Sequence, residues 1–540
     1  MNNNVPTRLS AIAVSLALVA ATCAGAQTAA ATDRTSPNAQ ALENFNRLSA
    51  LAEGHAPRNL SDGGLRTFVD AYTTYIYGYA LLAIAMTERV VTSAHDATHT
   101  YGRAPINQFY KAQQLPGSQY SDVVLPSTTT LYASAFFDFS QEPVVLHIPE
   151  IPPVADTGEE RFFIIQLLDA WTNVQRDSPS TRLHSRPGNY LLAGPKTDIA
   201  AIAGSIPDLR GVIRFDTDTA WAISRFYTDG TDADISAITN ALNPIPGGLT
   251  ITPLSEINES YTPPSNLPVN PSIDTKTQPI TQLESMGACE FFNTMSAMMM
   301  TNPRRRIDVL MQKPLEALGI TGQQFTCANR SQDEIQILQA AVTAARDYIA
   351  SIPQPSPTPS NWSMPLDVGD YGINYVLRAA VAKKALGANR AQDAVYAYTG
   401  YDSKGTSDED VLTGAKRYVL HFKAPTAQHL PGEIPPANSK AFWSLTLYDG
   451  NGFLVKNEVA TWNALGRPYV QQHKACFNAD GSLDIYVQAA PPSDPKQFCN
   501  WLETPQANAA MPTFIMFLRV YWPDRAVLQG RWYPPPIEVE

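Results

Sequence analysis

Apolar residues recur at helical spacing from Leu65 to Val91 (LRTFVDAYTTYIYGYALLAIAMTERVV), and Ser61-Asp62 just before them suit a helix cap, so the pattern predicts a buried helix there. Arg66, Asp70, Thr73, Thr74, Glu88 and Arg89 crowd both sides of its short apolar middle, which disfavours a membrane span. From about Asp122 the texture changes to short runs between turn residues: LYASAFFDF, PVVLHIP, RFFIIQLLDAWTNV, GNYLLAGP, GVIRFD and TAWAISRFYT. These read as strands at sandwich or barrel spacing. Ile235 to Leu242 starts a helix, and Pro244 to Pro279 reads as an extended loop or linker. Helical texture returns between Leu283 and Ala350, until the prolines of SIPQPSPTPSNWSMP end it. The last third is again strand-like: AVYAYTGYD, KRYVLHFK, AFWSLTLYD, LDIYVQAA and TFIMFLRVYWP, with glycine-containing connections at Asp449–Gly452 and Asn478–Gly481. Apolar positions alternate with polar ones along these strands, which predicts antiparallel sheets with one wet side.

The order of elements gives a fold class that is mainly β with helical additions (α+β): two β-sandwich or jelly-roll-like modules joined by a helical, Pro-rich middle. The boundaries are a signal peptide over 1–26, a flexible or partly helical segment over 27–60, an N-terminal module over 61–243, a connector over 244–365 and a C-terminal β module over 366–540.

The start of the chain bears on where the protein works. Arg8 supplies a positive region, Ala11 to Ala21 is apolar, and Ala24-Gly25-Ala26 offers a cleavage site before Gln27, so the expectation is export to a periplasmic or secreted location. The apolar run is short of the roughly 20 residues that span a bilayer. Lipid attachment at Cys23 is the minority reading, since Ala20 stands where such sites favour Leu. Four cysteines follow: Cys289, Cys327, Cys476 and Cys499. None is spaced as Cys-x-x-Cys, and proximity along the chain favours the pairs Cys289 with Cys327 and Cys476 with Cys499, with four free thiols as the other reading.

Composition narrows the partners. A hydrophobic fraction of 44% permits a large core, while a charged fraction of 16% with 43 prolines and 30 glycines favours turns and short strands. The net charge of -11 argues against nucleic acid and against an anionic membrane surface. Arg304-Arg305-Arg306 is the one basic run, and a solvated or ion-paired face accounts for it.

Several ordered segments resemble a bacterial family of paired domains of unknown function, numbered twelve fifty-four in the N-terminal part and twelve fourteen in the C-terminal part. The first match rests on Tyr75-Ile76-Tyr77-Gly78-Tyr79, Pro105-Ile106-Asn107-Gln108-Phe109, Leu131-Tyr132-Ala133-Ser134 and the run from Gln166 to Val174. The second rests on the run from Ala441 to Asp449, Asn500-Trp501-Leu502, the run from Leu518 to Pro523, and Trp532-Tyr533-Pro534-Pro535-Pro536. The resemblance implies two sandwich-like modules, frequent export, homo-oligomers and no settled activity. Where the family shows Asn-x-Asp-Thr-Leu-Tyr, this chain has Ser127-Thr128-Thr129-Thr130-Leu131-Tyr132, so hydroxyls stand in place of an amide and a carboxylate. Hard cations favour carboxylate oxygens.

The sequence has no Gly-x-Ser-x-Gly elbow, Walker loop, Gly-x-Gly-x-x-Gly fingerprint or His-Glu-x-x-His. His95 and His99 have metal-ligand spacing if helical, but no third ligand can be assigned and exposed loop histidines are the other reading, so no metal or cofactor is predicted; a divalent cation stays open as an alternative without a ligand set to support it. The richest cluster is Gln166, Asp169, Trp171, Asn173, Arg176, Arg182 and His184. If Phe162 to Val174 is one strand, Asp169, Trp171 and Asn173 share a face, with Asp169 as acid or base, His184 as its catalytic companion, and Arg176 and Arg182 positioning an oxygen-rich substrate. The competing reading pairs Asp169 with an arginine and puts Trp171 in a core. Tyr448 and Trp501 belong to a C-terminal inventory of aromatics, with Trp443, Arg519 and Tyr521, that suits either a ligand or a sandwich core. The functional expectation is an exported enzyme, with hydrolysis the reaction class least excluded, or a binder, acting on a polar or partly apolar small molecule in a β-lined cleft. The alternative is a non-catalytic oligomeric binding or envelope protein.

Overall fold

The computed structural model describes residues 37–118, 124–352, 357–405, 407–460, 462–466 and 475–540. The segment expected to be a signal peptide, with Cys23, therefore lies outside the described residues. Met1–Phe45 form one unit, whose described part belongs to the helix Pro37–His55, and Asn46–Glu540 form the other.

In the larger unit, β1 (Tyr110–Lys111), β2 (Thr130–Asp138), β3 (Val144–Ile148), β4 (Phe163–Asp169), β5 (Gly188–Ala193), β6 (Leu209–Arg214), β7 (Thr219–Tyr227) and β8 (Thr250–Pro253) make an N-terminal sandwich. Its two four-stranded sheets run β1-β2-β7-β4 and β6-β5-β3-β8. Leu131, Phe137, Ile165, Leu167 and Phe226 from the first sheet share a core with Leu146 and Leu192 from the second. β8 falls inside the stretch read as linker; its short TITP run sits between prolines and gives little periodic signal.

β9 (Ala394–Thr399), β10 (Tyr418–Phe422), β11 (Trp443–Asp449), β12 (Ala464–Gly466), β13 (Leu483–Gln488), β14 (Trp501–Glu503), β15 (Phe514–Tyr521) and β16 (Ile537–Val539) make a second sandwich. Its sheets run β12-β11-β15-β9 and β14-β13-β10-β16. Leu445, Leu447, Met516 and Leu518 pack with Leu420 and Ile485 between them. With helices between the two sandwiches, the chain is an α+β protein with two β-rich modules.

Side chains alternate faces along a strand, and the second face is where expectation and structure part. On β10 and β13 it is partly exposed, as a wet side requires. On β4 and β7 every residue is buried. The outward residues of β4 and β7 join a second apolar cluster with those of β9, β11 and β15: Ile164, Tyr227, Tyr396, Tyr448, Phe517 and Tyr521 all belong to it. One sheet of each sandwich is thus buried on both sides because the two modules pack face to face, helped on the N-terminal sheet by Ile84 and Val91, which cover Leu168, Trp221 and Ile223.

Helices complete the N-terminal side. Asp62–Val91 starts where Ser61 Oγ accepts the Gly64 N–H at 3.1 Å, and its middle turns are buried all round. The helices Ala288–Met299, Gln332–Ser351 and Tyr375–Lys384 pack on it. Gly78 makes one of these contacts close: a Cβ there would lie 2.4 Å from Met295 Sδ. Disulfides join Cys289 to Cys327 and Cys476 to Cys499. Among the described residues no helix is long and apolar enough to cross a membrane.

Candidate functional site

Between the two face-to-face sheets lies a cavity with about 100 Å³ of water-accessible space. β2 contributes Tyr132 and Ser134, β7 contributes Trp221, Ile223 and Arg225, β15 contributes Phe517, Arg519 and Tyr521, and β9 contributes Tyr396. The register explains the convergence. Tyr132 pairs directly with Arg225 across β2 and β7, and Arg519 pairs with Tyr396 across β15 and β9, so each arginine has a phenol beside it on its own sheet.

Both arginines are almost wholly buried, at 8% exposure for Arg225 and 3% for Arg519. Arg225 Nη1 donates to the Gln166 side-chain oxygen, to the Ile223 carbonyl at 3.3 Å and to Asn389 Oδ1 at 3.4 Å, while Nη2 donates to the Gly387 carbonyl at 3.1 Å. Arg519 Nη2 donates to the Leu125 carbonyl at 2.7 Å, and among the described residues its Nη1 has no partner. Neither guanidinium has a carboxylate at ion-pair distance among the described residues. Their nearest electronic compensation is aromatic: Arg519 sits 4.5 Å from the Phe517 ring centre and 5.5 Å from that of Tyr448, and Arg225 lies 5.6 Å from that of Tyr132. A cation–π contact offsets part of a guanidinium's desolvation but leaves the charge unneutralised. Burial pushes the Tyr521 phenol above its usual range against the pull of Arg519, so at neutral pH it stands as a neutral hydroxyl.

Backbone shape supports the site. Gly387 has φ +84°, and a Cβ there would fall 2.4 Å from Ile223 Cδ1. Only glycine brings the carbonyl of this loop within reach of Arg225. The Ser127–Thr130 loop is tied to the same wall, since the Ser127 N–H donates to the Tyr132 hydroxyl oxygen at 2.7 Å.

The residues singled out from sequence divide into groups. Gln166 and Tyr448 adjoin the cavity: Gln166 holds Arg225 and donates to the Ala388 carbonyl at 2.8 Å, while the Tyr448 hydroxyl donates to the Pro126 carbonyl at 2.5 Å beneath Arg519. Asp169, Trp171 and Asn173 come together elsewhere, and not along a strand. β4 ends at Asp169, whose Oδ1 accepts the N–H groups of Trp171 at 2.9 Å and Asn173 at 2.8 Å, and Thr172 turns the chain at φ 68°. Burial raises the Asp169 carboxyl above its usual range, against the pull of Arg305, Asn173 and Arg378. Trp171 donates to the Pro303 carbonyl at 3.1 Å and lies 4.6 Å from the Tyr77 ring. Arg378 completes that cluster, stacked 5.2 Å from Trp171. Arg176 pairs with Asp370 at 2.8 Å and Arg182 with Asp393 at 2.6 Å. His184 is an exposed residue at φ 52°, and Trp501 packs in the C-terminal module, donating to the Gln488 carbonyl at 2.8 Å.

His95 and His99 are not on a helix: His95 Nδ1 lies 2.7 Å from the Leu267 carbonyl and His99 Nδ1 2.6 Å from Asp96 Oδ2. Among the described residues no three His, Cys, Asp or Glu side chains converge as metal ligands. Arg225 escaped the sequence reading. The signal it carried was a lone cation in the apolar run TAWAISRFY, two residues from Ile223 and Tyr227 on one face.

Comparison with known proteins agrees with this two-module architecture. The family model described as "Protein of unknown function (DUF1254)" matches residues 106–247, and that described as "Protein of unknown function (DUF1214)" matches 393–525. No curated protein matches the chain. The crystal structure of the VPA0106 protein from Vibrio parahaemolyticus is 18% identical with a TM-score of 0.57, covering 88% of this chain and 100% of that one, which shows a shared fold. An uncharacterized protein from Burkholderia cenocepacia is 13% identical with a TM-score of 0.39, covering 93% of this chain and 96% of that one.

Proposed function

We propose that this chain, which carries a DUF1254 domain followed by a DUF1214 domain, binds a small organic anion in the cavity between its two β modules, after export to an oxidising compartment. One observation carries the reading: two buried arginines, one from each facing sheet, line the same cavity without a carboxylate partner among the described residues. A buried cation is stable only when paired or richly hydrogen-bonded, and a bound anion supplies both. The rest of the wall suits the remainder of such a ligand, because Trp221, Ile223 and Phe517 offer carbon surface while Tyr521 offers a neutral hydroxyl. Among the described residues that line the cavity there is no His, Cys, Asp or Glu, so the chemistry they offer is donation and charge, which favours binding over hydrolysis. The two disulfides support export, since such bonds persist outside the reducing cytosol.

Native mass spectrometry of the protein purified from its host tests this directly, and the same spectra count subunits, where a homo-oligomer is expected. A retained acidic molecule is the expected result. Titration of small anions into emptied protein, read by the fluorescence of Trp221 and its neighbours, should then saturate for wild type and weaken by about tenfold or more in Arg519→Gln. No anion response in wild type ends the reading.

A further inference from the structure

Resting on that anion-site reading, we infer that the ligand is a monocarboxylate on a single aromatic ring rather than a phosphate or sulfate ester. The argument begins with the donors left over. Arg225 already spends Nη1 and Nη2 on Gln166, Ile223, Asn389 and Gly387, and Arg519 spends Nη2 on Leu125. Among the described residues Nη1 of Arg519 is a guanidinium nitrogen left without a partner, and Tyr132, Tyr396 and Tyr521, which line the cavity, complete its polar end. A carboxylate has two oxygens at one end and is satisfied by a few donors of this kind. A phosphoryl or sulfuryl group carries three or more charged oxygens, and those turned toward Trp221, Ile223 or Phe517 would be buried without a donor, at a cost that excludes them.

The body of the ligand follows from the walls. Trp221 on β7 is backed by a parallel ring, Phe136, with centroids 5.1 Å apart and planes 5° apart. Phe517 on the facing sheet is backed in the same way by Tyr398, at 5.7 Å and 10°. Each sheet thus carries a stacked pair of rings, one of which, Trp221 or Phe517, lines the cavity and is stiffened by its neighbour, and such walls suit a planar ring. The water-accessible space of about 100 Å³ leaves room for a small organic molecule.

The test is a panel on wild-type full-length protein by isothermal titration calorimetry: benzoate, cyclohexanecarboxylate, benzamide and inorganic phosphate. Benzoate is expected to bind at least about tenfold tighter than benzamide, which lacks the charge, and than phosphate; cyclohexanecarboxylate, which lacks the flat face, should fall between. Phosphate binding more tightly than benzoate would overturn this ligand class while leaving the anion site standing. Equal affinity for benzoate and cyclohexanecarboxylate removes the aromatic part of the inference. Silence from all four overturns both the inference and the reading beneath it. Arg519→Lys gives a second view, since it keeps the charge and loses the fork: benzoate affinity should fall about tenfold with unchanged melting behaviour, and an unchanged affinity would show that the carboxylate sits elsewhere.

Discussion

Gln166 and Arg225 form a buried hydrogen bond across the β4–β7 pairing, with the amide oxygen accepting from the guanidinium while the amide nitrogen donates to the Ala388 carbonyl. The glutamine therefore fixes the arginine and the loop that follows the Tyr375–Lys384 helix at once. Gln166→Leu keeps the volume and removes the acceptor, leaving a buried cation short of a partner. The expected loss is about 2–3 kcal/mol in urea unfolding, with weaker anion binding because Arg225 is free to swing. An unchanged urea midpoint would mean that Arg225 is held by its backbone acceptors alone.

How far this arrangement was legible in the sequence depends on the element. Ser61 and the apolar period after it were enough to place the helix Asp62–Val91. Strand texture located β2, β7, β11 and β15, because alternation of side chains is a local property. What alternation does not record is which neighbour covers the second face. Gln166 on one sheet and Ser444 and Thr446 on the other are polar positions in otherwise apolar strands, yet all three are fully buried. Polarity there reflects a cavity and a seam between modules, which arise from contacts hundreds of residues apart. The end of β4 was hidden for a different reason: Asp169 accepts backbone N–H groups two and four residues on, and such a local side-chain turn overrides a period that would otherwise continue to Asn173.

Glu88 gives the protein a pH dependence of defined sign. It is half-buried near the end of the helix Asp62–Val91, and burial, followed by the Asp138 charge, raises its carboxyl from the ordinary 4.5 to about 7. The folded chain then holds this proton more tightly than the unfolded chain, so the contribution to stability rises as pH falls from about 7 to about 4.5 and is flat on either side. Glu88→Gln mimics the protonated form. It should stabilise the protein relative to wild type at pH 8, with the difference shrinking toward pH 5 in thermal unfolding. A difference that does not vary with pH would show that Glu88 titrates normally.

The disulfide between Cys289 and Cys327 ties the helix Ala288–Met299 to a residue 38 positions later. Closing a loop of that length removes unfolded-state entropy worth about 4 kcal/mol. The double substitution of both cysteines by alanine should lower stability by about 3–4 kcal/mol, and a reducing agent, which also opens Cys476–Cys499, should lower wild-type stability by at least as much. Equal melting temperatures with and without reductant would exclude a structural role for the bond.

Phe442 separates the seam between modules from the cores within them. It comes just before β11, and its ring lies 4.3 Å from Tyr521 of its own module, 4.5 Å from Tyr227 and 5.8 Å from Phe162 of the other. Phe442→Ala should cost about 3–5 kcal/mol, as deletions of buried aromatic rings do. Phe514, also buried, packs inside the C-terminal core 5.9 Å from Tyr418, and Phe514→Ala should cost a similar amount. The two differ in what they touch next: Tyr521 lines the anion cavity, whereas Tyr418 does not. If the cavity works as a site built from both modules, Phe442→Ala lowers anion affinity by about tenfold more than Phe514→Ala at matched folded fraction. Equal affinities in the two variants would mean that one module suffices to hold the ligand, and the facing sheet serves only as its cover.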